Sequence, residues 1–159
     1  MNIRIGLGHD IHALVENREL WLGGVKIPYE KGLKGHSDAD ALLHAIMDAI
    51  LGALSLGDIG KLFPDTDAKY KGISSSKLVL DVMKLVKEKQ FRVGNLDCII
   101  HCEQPKISPH REKMKIAIAQ LLETTTEQIS IKAGTNEGFD AIGKKEAIAC
   151  QAIVLMTAE

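Results

Sequence analysis

The sequence predicts an α/β fold: a mixed β-sheet covered by helices on one face, a two-layer sandwich, with a small β-hairpin attached. Three observations carry this. Strand-like apolar stretches stand near both ends and in the middle of the chain, beginning at Ile3, Leu96 and Ala147. Segments with helical spacing separate them, opening at Ser37, Ser74 and Ser108. No repeat, low-complexity tract or Pro/Ser-rich linker divides the 159 residues, so a single domain over 1–159 is expected.

Taken in order, Ile3, Ile5 and Leu7 alternate with Arg4, Gly6 and Gly8, which predicts a first strand running toward His12. Leu20-Trp21-Leu22 and Val25-Lys26-Ile27 flank Gly23-Gly24, the pattern of a hairpin, and Pro28 ends it. Ser37 is the expected N-cap of a helix to about Leu54, with Asp38 and Asp40 in its first turn. Its Ala, Leu and Ile content predicts burial around most of its circumference. A second helix, from about Ser74 to Gln90, sets Leu78, Val82, Leu85 and Val86 on one side. Leu96 to His101 reads as a buried strand. Ser108-Pro109 supplies an N-cap with proline at the first helical position, for a helix to about Leu122. Ile129 to Ala133 and Ala147 to Met156 are the expected closing strands, giving the order β-β-β-α-α-β-α-β-β.

Composition narrows the function. Aromatic residues are 4% of a chain that is 45% apolar, so the core must be aliphatic. With 20 basic against 21 acidic residues, nothing in the charge favours nucleic acid or an anionic membrane as partner. A bound phosphate must be held locally. Cys98, Cys102 and Cys150 form no C-x-x-C pair and read as buried thiols in a reducing compartment. No apolar run has the length of a membrane span, and the N-terminus lacks signal-peptide character. The expectation is a cytoplasmic protein, or the mature form of one targeted elsewhere.

Four segments carry candidate chemistry. In Asp10-Ile11-His12 the two polar residues share one face of a strand, roughly 6–7 Å apart, and can grip one cation. Alone, such a pair is more often a surface feature. His44, inside an apolar helix headed by His36-Ser37-Asp38, supplies a third donor, although a core histidine fits that position equally well. Asp plus two His suits catalytic Zn²⁺, or another divalent cation, with a coordination position left for substrate. Asp48, one turn after His44, either orients it or is a solvated helix acid. The turn-rich run Gly57 to Asp67 offers acids and backbone N–H groups to sugar and phosphate. Lys132-Ala133-Gly134-Thr135-Asn136-Glu137, at a strand end, offers a hydroxyl in Thr135 and a hard oxygen ligand in Glu137.

Together and in this order, these segments resemble the cyclodiphosphate synthase family of the non-mevalonate isoprenoid pathway. The resemblance runs from Arg4-Ile5-Gly6 and Gly8-x-Asp10-x-His12, through Gly24-Val25-x-Ile27-Pro28, His36-Ser37-Asp38 with His44, and Gly57 to Asp67. It continues through Gln104-Pro105-Lys106 to Lys132 and Glu137, nearly the whole chain. The resemblance implies zinc on Asp10, His12 and His44, and Mg²⁺ or Mn²⁺ on Glu137 with the diphosphate. It implies that His36 and Ser37 contact phosphate, and that Asp58, Ile59 and Gly60 hold the methylerythritol moiety. Phe63, Pro64, Asp65, Thr66 and Asp67 would close around that moiety. Cys102, Glu103, Gln104, Pro105, Lys106, Ile107 and Ser108 would cradle cytidine. Gly134, Thr135, Asn136, Glu137 and Lys144 would complete the substrate site, with His36 and Thr135 as catalytic donors.

The implied partners are a small nucleotide substrate and two further copies in a homotrimer, with active sites between subunits. The implied reaction cyclises 4-diphosphocytidyl-2-C-methyl-D-erythritol 2-phosphate with loss of CMP, a phosphorus–oxygen lyase reaction. A phosphate nucleophile is already ionised, so no nucleophile–base triad is needed. Three positions depart from the family pattern. His9 replaces a frequent aromatic and should point away from Asp10 and His12. Gly134 replaces a hydroxyl residue, and Lys144 stands where arginine is common. Rival readings are a zinc-dependent phosphoesterase and a non-catalytic trimer that binds CMP and metal.

Overall fold

The computed structural model describes residues 2–159. The first strand is longer than its apolar alternation suggested: β1 runs Ile3–Glu16. The hairpin follows as expected, β2 (Leu20–Leu22) pairing with β3 (Val25–Ile27). Gly23 and Gly24 both have positive φ, +60° and +76°, which a two-residue turn matched to strand twist requires. A short strand that the pattern did not reveal, β4 (Lys31–Leu33), returns antiparallel beside β1 through Leu14↔Leu33.

Helix α1 is Ala41–Ala53, and all its residues except Asp48 and Gly52 are buried. It starts three residues later than the Ser37 cap predicted. Ala39 sits at φ +56°, which interrupts helical geometry, and the N-cap is Asp40. The expected Ser37 cap and first-turn Asp38 and Asp40 are therefore corrected. Asp40 is fully buried: Oδ1 accepts from Leu43 N (3.0 Å) and Gly23 N (2.9 Å), and Oδ2 from Gly24 N (2.8 Å). One carboxyl thus caps the helix and ties the hairpin turn to it. Burial pushes its pKa up, against the pull of those N–H donors. Asp40→Ala strands three N–H groups and should cost roughly 3 kcal/mol or more in chemical denaturation, at about 1–3 kcal/mol per orphaned group. Asp40→Asn, which keeps an acceptor, should cost less.

Beyond α1 lie the four-residue α2 (Ile59–Leu62) and α3 (Ser75–Glu88). Strand β5 (Phe91–His101) begins five residues before the expected Leu96, with an irregularity around Gly94. The segment at Ser108 opens as a 3₁₀ turn, Ser108–His110, containing Pro109, and only then becomes α4 (Arg111–Leu121). The N-cap of the turn is Ile107 and that of α4 is His110, so the expected Ser108 cap is a second correction. Strand β6 (Ile129–Gly134), the short α5 (Asp140–Gly143) and β7 (Ala147–Ala158) complete the chain.

The main sheet has the order β4-β1-β7-β5-β6. Its pairs are antiparallel except β5–β6, so the sheet is mixed, as expected. Helices cover one face. Alternation sends Gly6, Gly8, Asp10 and His12 of β1 toward α1. A Cβ on Gly6 or Gly8 would fall 1.8 Å from the carbonyl oxygen of Ala49 or Ala45, so the helix backbone lies directly on the strand. The opposite face exposes Ile3, Ile5, Leu7, Ile11 and Ile153, with Ile5 at 72%. Among the described residues no helix is long and apolar enough to cross a membrane.

Candidate functional site

The seating of α1 on Gly6 and Gly8 places His44, one residue before Ala45, beside the next inward residues of β1. Asp10 Oδ2 lies 2.8 Å from His12 Nε2 and 2.9 Å from His44 Nδ1, and the two ring nitrogens are 3.3 Å apart. These donors form the metal-ligating cluster among the described residues. His12 Nδ1 is 2.7 Å from the carbonyl oxygen of Lys34. A carbonyl only accepts, so that nitrogen carries a proton and Nε2 offers its lone pair inward. Burial pushes the Asp10 carboxyl up, but hydrogen bonds and charge from His12 and His44 outweigh it and hold it at about 2. Burial pulls His12 down, and the bond to Asp10 more than restores it, for a net rise. Three acceptors this close demand a positive charge among them. That demand, met by one oxygen and two imidazole nitrogens, fits a divalent cation such as Zn²⁺.

The far nitrogen of His44, Nε2, lies 2.9 Å from Ser75 Oγ and 3.2 Å from Ser37 Oγ. Ser75 Oγ in turn donates to Asp38 Oδ1 at 2.5 Å. Asp48 is not the partner of His44. Its half-buried carboxylate accepts from Ile59 N at 2.8 Å and anchors the start of α2.

Two cavities take in several of the sequence-predicted residues. One, of about 140 Å³, is lined by His36, Ser37, His44, Ile59, Gly60, Phe63, Tyr70 and Leu78. His36 Nε2 donates to the Asp67 carbonyl at 3.0 Å, fixing the ring at the mouth of the 63–67 loop. Phe63 packs edge-on against Tyr70, with centroids 5.4 Å apart. The sequence reading did not include Tyr70. Asp58 caps α2 through Lys61 N (2.9 Å). It lines neither cavity, and nor do Pro64, Asp65, Thr66 and Asp67.

The larger cavity, about 350 Å³, is lined by all seven residues from Cys102 to Ser108, with Arg111, Ala133, Gly134 and Thr135. Glu103 Oε1 accepts from Asn136 N (2.8 Å) and Gly138 N (3.3 Å), which shapes the loop after β6. The Cys102 thiol donates to the Gln104 carbonyl at 3.1 Å, and burial and the Glu103 charge push its pKa up to about 12. It is no nucleophile. Arg111 was also missed, and its Nε is buried without a hydrogen-bond partner. Asn136, Glu137 and Lys144 stand outside both cavities. His9 is exposed on the helix-free face, turned from Asp10 and His12 as expected.

Comparison with known proteins places these residues in context. Residues 3–157 match the model of the YgbB family. The chain is 53% identical to the 2-C-methyl-D-erythritol 2,4-cyclodiphosphate synthase of Desulfitobacterium hafniense, over 97% of this chain and 98% of that one. Among solved structures it resembles the CDP complex of IspF from Plasmodium falciparum, with TM-score 0.87 and 38% identity. That match covers 99% of this chain and 97% of the other. It also resembles the bifunctional IspDF of Campylobacter jejuni, with TM-score 0.95 and 40% identity, over 99% of this chain and 43% of that longer one.

Proposed function

The chain belongs to the YgbB family, and on that premise we propose that it cyclises 4-diphosphocytidyl-2-C-methyl-D-erythritol 2-phosphate to 2-C-methyl-D-erythritol 2,4-cyclodiphosphate with release of CMP. Cyclodiphosphate synthase function in isoprenoid biosynthesis is what its relatives support. The observation that carries the reading is the convergence of Asp10, His12 and His44, with His44 also lining the cavity that holds His36.

A divalent cation on those three residues supplies Lewis-acid polarisation of a phosphoryl oxygen. The protein's own groups then have to position and neutralise, since the attacking phosphate is ionised without help. The Cys102–Ser108 loop is shaped to hold the cytosine, mostly by backbone groups. Thr135, on the rim of the same cavity, offers its hydroxyl to the diphosphate, and the exposed Glu137 beyond it offers a carboxylate to Mg²⁺ or Mn²⁺. His36 and Ser37 face the other end of the substrate. His36, held by the Asp67 carbonyl, is oriented for a donor role toward oxygens that gain charge in the transition state.

The proposal includes a homotrimer with active sites between subunits. Asp10, Cys150, Ile100 and Ala133 pair in one row across the sheet. Three interstrand steps therefore separate the metal residues from the cytidine cavity in one subunit, roughly 14 Å at about 4.8 Å per step. A second copy supplying its cavity edge to the first copy's metal residues shortens that gap. The uncovered face with Ile3, Ile5, Leu7, Ile11 and Ile153 supports such association, because monomers seldom leave a patch like it open.

Phosphorus NMR of the purified protein with the substrate, Zn²⁺ and Mg²⁺ tests the reaction. Cyclic diphosphate with one equivalent of CMP is expected. Inorganic phosphate would make the protein a phosphoesterase, and untouched substrate on a metal-loaded protein would make it a binding module. Glu137→Gln should leave zinc content unchanged while raising the Mg²⁺ concentration for half-maximal rate about tenfold, the equivalent of about 1.4 kcal/mol. An unaltered Mg²⁺ titration would remove Glu137 from that role.

A further inference from the structure

We propose that Ser75 and Asp38 are positioning residues for His44: they hold a proton on Nε2 and so direct Nδ1 to the cation position beside Asp10 and His12. Asp38 accepts at both carboxylate oxygens, Oδ1 from Asp40 N (3.1 Å) and Oδ2 from Ser75 N (2.9 Å). An acceptor in that setting takes the Ser75 hydroxyl proton at Oδ1, 2.5 Å away. Ser75 has one proton to give, and giving it to Asp38 leaves only lone pairs for its other neighbour. That neighbour is His44 Nε2 at 2.9 Å, which must therefore be the donor. Ser37 Oγ, 3.2 Å from the same nitrogen, already accepts from Ala39 N at 3.1 Å and is a further acceptor for it.

The result is a matched pair of imidazoles. His12 has its proton turned outward to the Lys34 carbonyl, and His44 has its proton turned inward to the Ser75 and Ser37 hydroxyls. With a cation bound, one offers Nε2 and the other Nδ1 to it beside Asp10 Oδ2; without one, protons take its place, as the short contacts of both rings with that carboxylate oxygen require. Ser75 and Asp38 are both held by local structure. Ser75 is the first residue of α3 and fully buried, and Asp38 N donates to the Ile73 carbonyl at 3.1 Å. The start of α3 thereby sets the tautomer of a residue on α1. Partners of this kind raise the basicity of a ligating imidazole, and their loss costs about 10–100-fold in metal affinity.

The inference rests on the metal reading of Asp10, His12 and His44, and its test separates the two. Two-bond proton–nitrogen correlation spectra of zinc-loaded wild-type protein should show His44 protonated at Nε2 and ligating through Nδ1. Ser75→Ala should populate the Nδ1–H form and weaken zinc binding about 10–100-fold in chelator competition. Ser75→Thr, which keeps the hydroxyl, should recover most of that affinity. Equal zinc affinity in wild type and Ser75→Ala would overturn this inference alone, whereas a wild type that binds no zinc would overturn the metal reading and the inference with it. Should Ser75→Ala not fold, the zinc-loaded wild-type spectrum decides, since zinc on Nε2 with the proton on Nδ1 contradicts the donor count.

Discussion

Replacing His44 with alanine is expected to empty the metal centre and lower turnover by on the order of a thousandfold, about 4 kcal/mol of barrier. The substitution leaves Asp10 and His12 as a two-donor site, too few to fix a zinc ion with a coordination position directed at substrate. The fold should survive. His44 is mostly buried, but its neighbours on α1 form the aliphatic core without it, and Ser75 keeps Asp38 as a partner. Metal content by atomic emission, turnover and thermal melting should be read on the same preparation. Lost zinc with a cooperative melt supports the assignment. Stoichiometric zinc and full turnover would take His44 out of the ligand set.

The second large effect is expected at a residue with no side chain. An alanine at Gly8 would place its Cβ 1.8 Å from the Ala45 carbonyl oxygen and 2.8 Å from Ala49 N. Both obstacles are backbone, so no rotamer change relieves the clash and α1 must lift from β1. Overpacking usually costs about 1–3 kcal/mol and more where nothing can yield, so a loss of roughly 3 kcal/mol or greater is expected. Any molecules that remain folded should also bind zinc poorly, because the displaced helix carries His44 and the strand carries Asp10 and His12. A Gly8→Ala protein with wild-type melting and zinc content would mean that the contact of α1 with β1 is looser than described.

Much of this arrangement was legible in the sequence, and the failures share a cause. Alternation in Ile3-Arg4-Ile5-Gly6-Leu7 and the apolar density of Ala41 to Ala53 are local signals, and they gave strand and helix correctly. The start of α1 was misplaced because Ser37 and Asp40 are equally good caps on paper. What decides is the positive φ of Ala39 and the distant hairpin turn that Asp40 also binds. Strand β4 has three residues with a glycine at its centre, too short for a period. Asp10, His12 and His44 were found because a strand pair and a lone helix histidine are recognisable motifs. Ser75 was not, since its bond to Asp38 joins residues 37 apart and a serine at a helix start reads only as a cap. Arg111 and Tyr70 were missed for the same reason: what marks them is the cavity wall they complete, not their neighbours in the chain.

The span between Asp10 and His44 has a thermodynamic consequence. They lie 34 residues apart, on the first strand and the first helix, with the hairpin, β4 and the His36–Asp40 turn strung between them. A cation held at both ends closes that stretch into a ring and binds only when the ring's two ends are already docked. It therefore acts as a removable staple, drawing the equilibrium toward the native chain by mass action, by about 4.1 kcal/mol when free metal exceeds its dissociation constant a thousandfold. On the proposed metal reading, catalytic competence and resistance to unfolding would both follow the free-metal concentration around the protein.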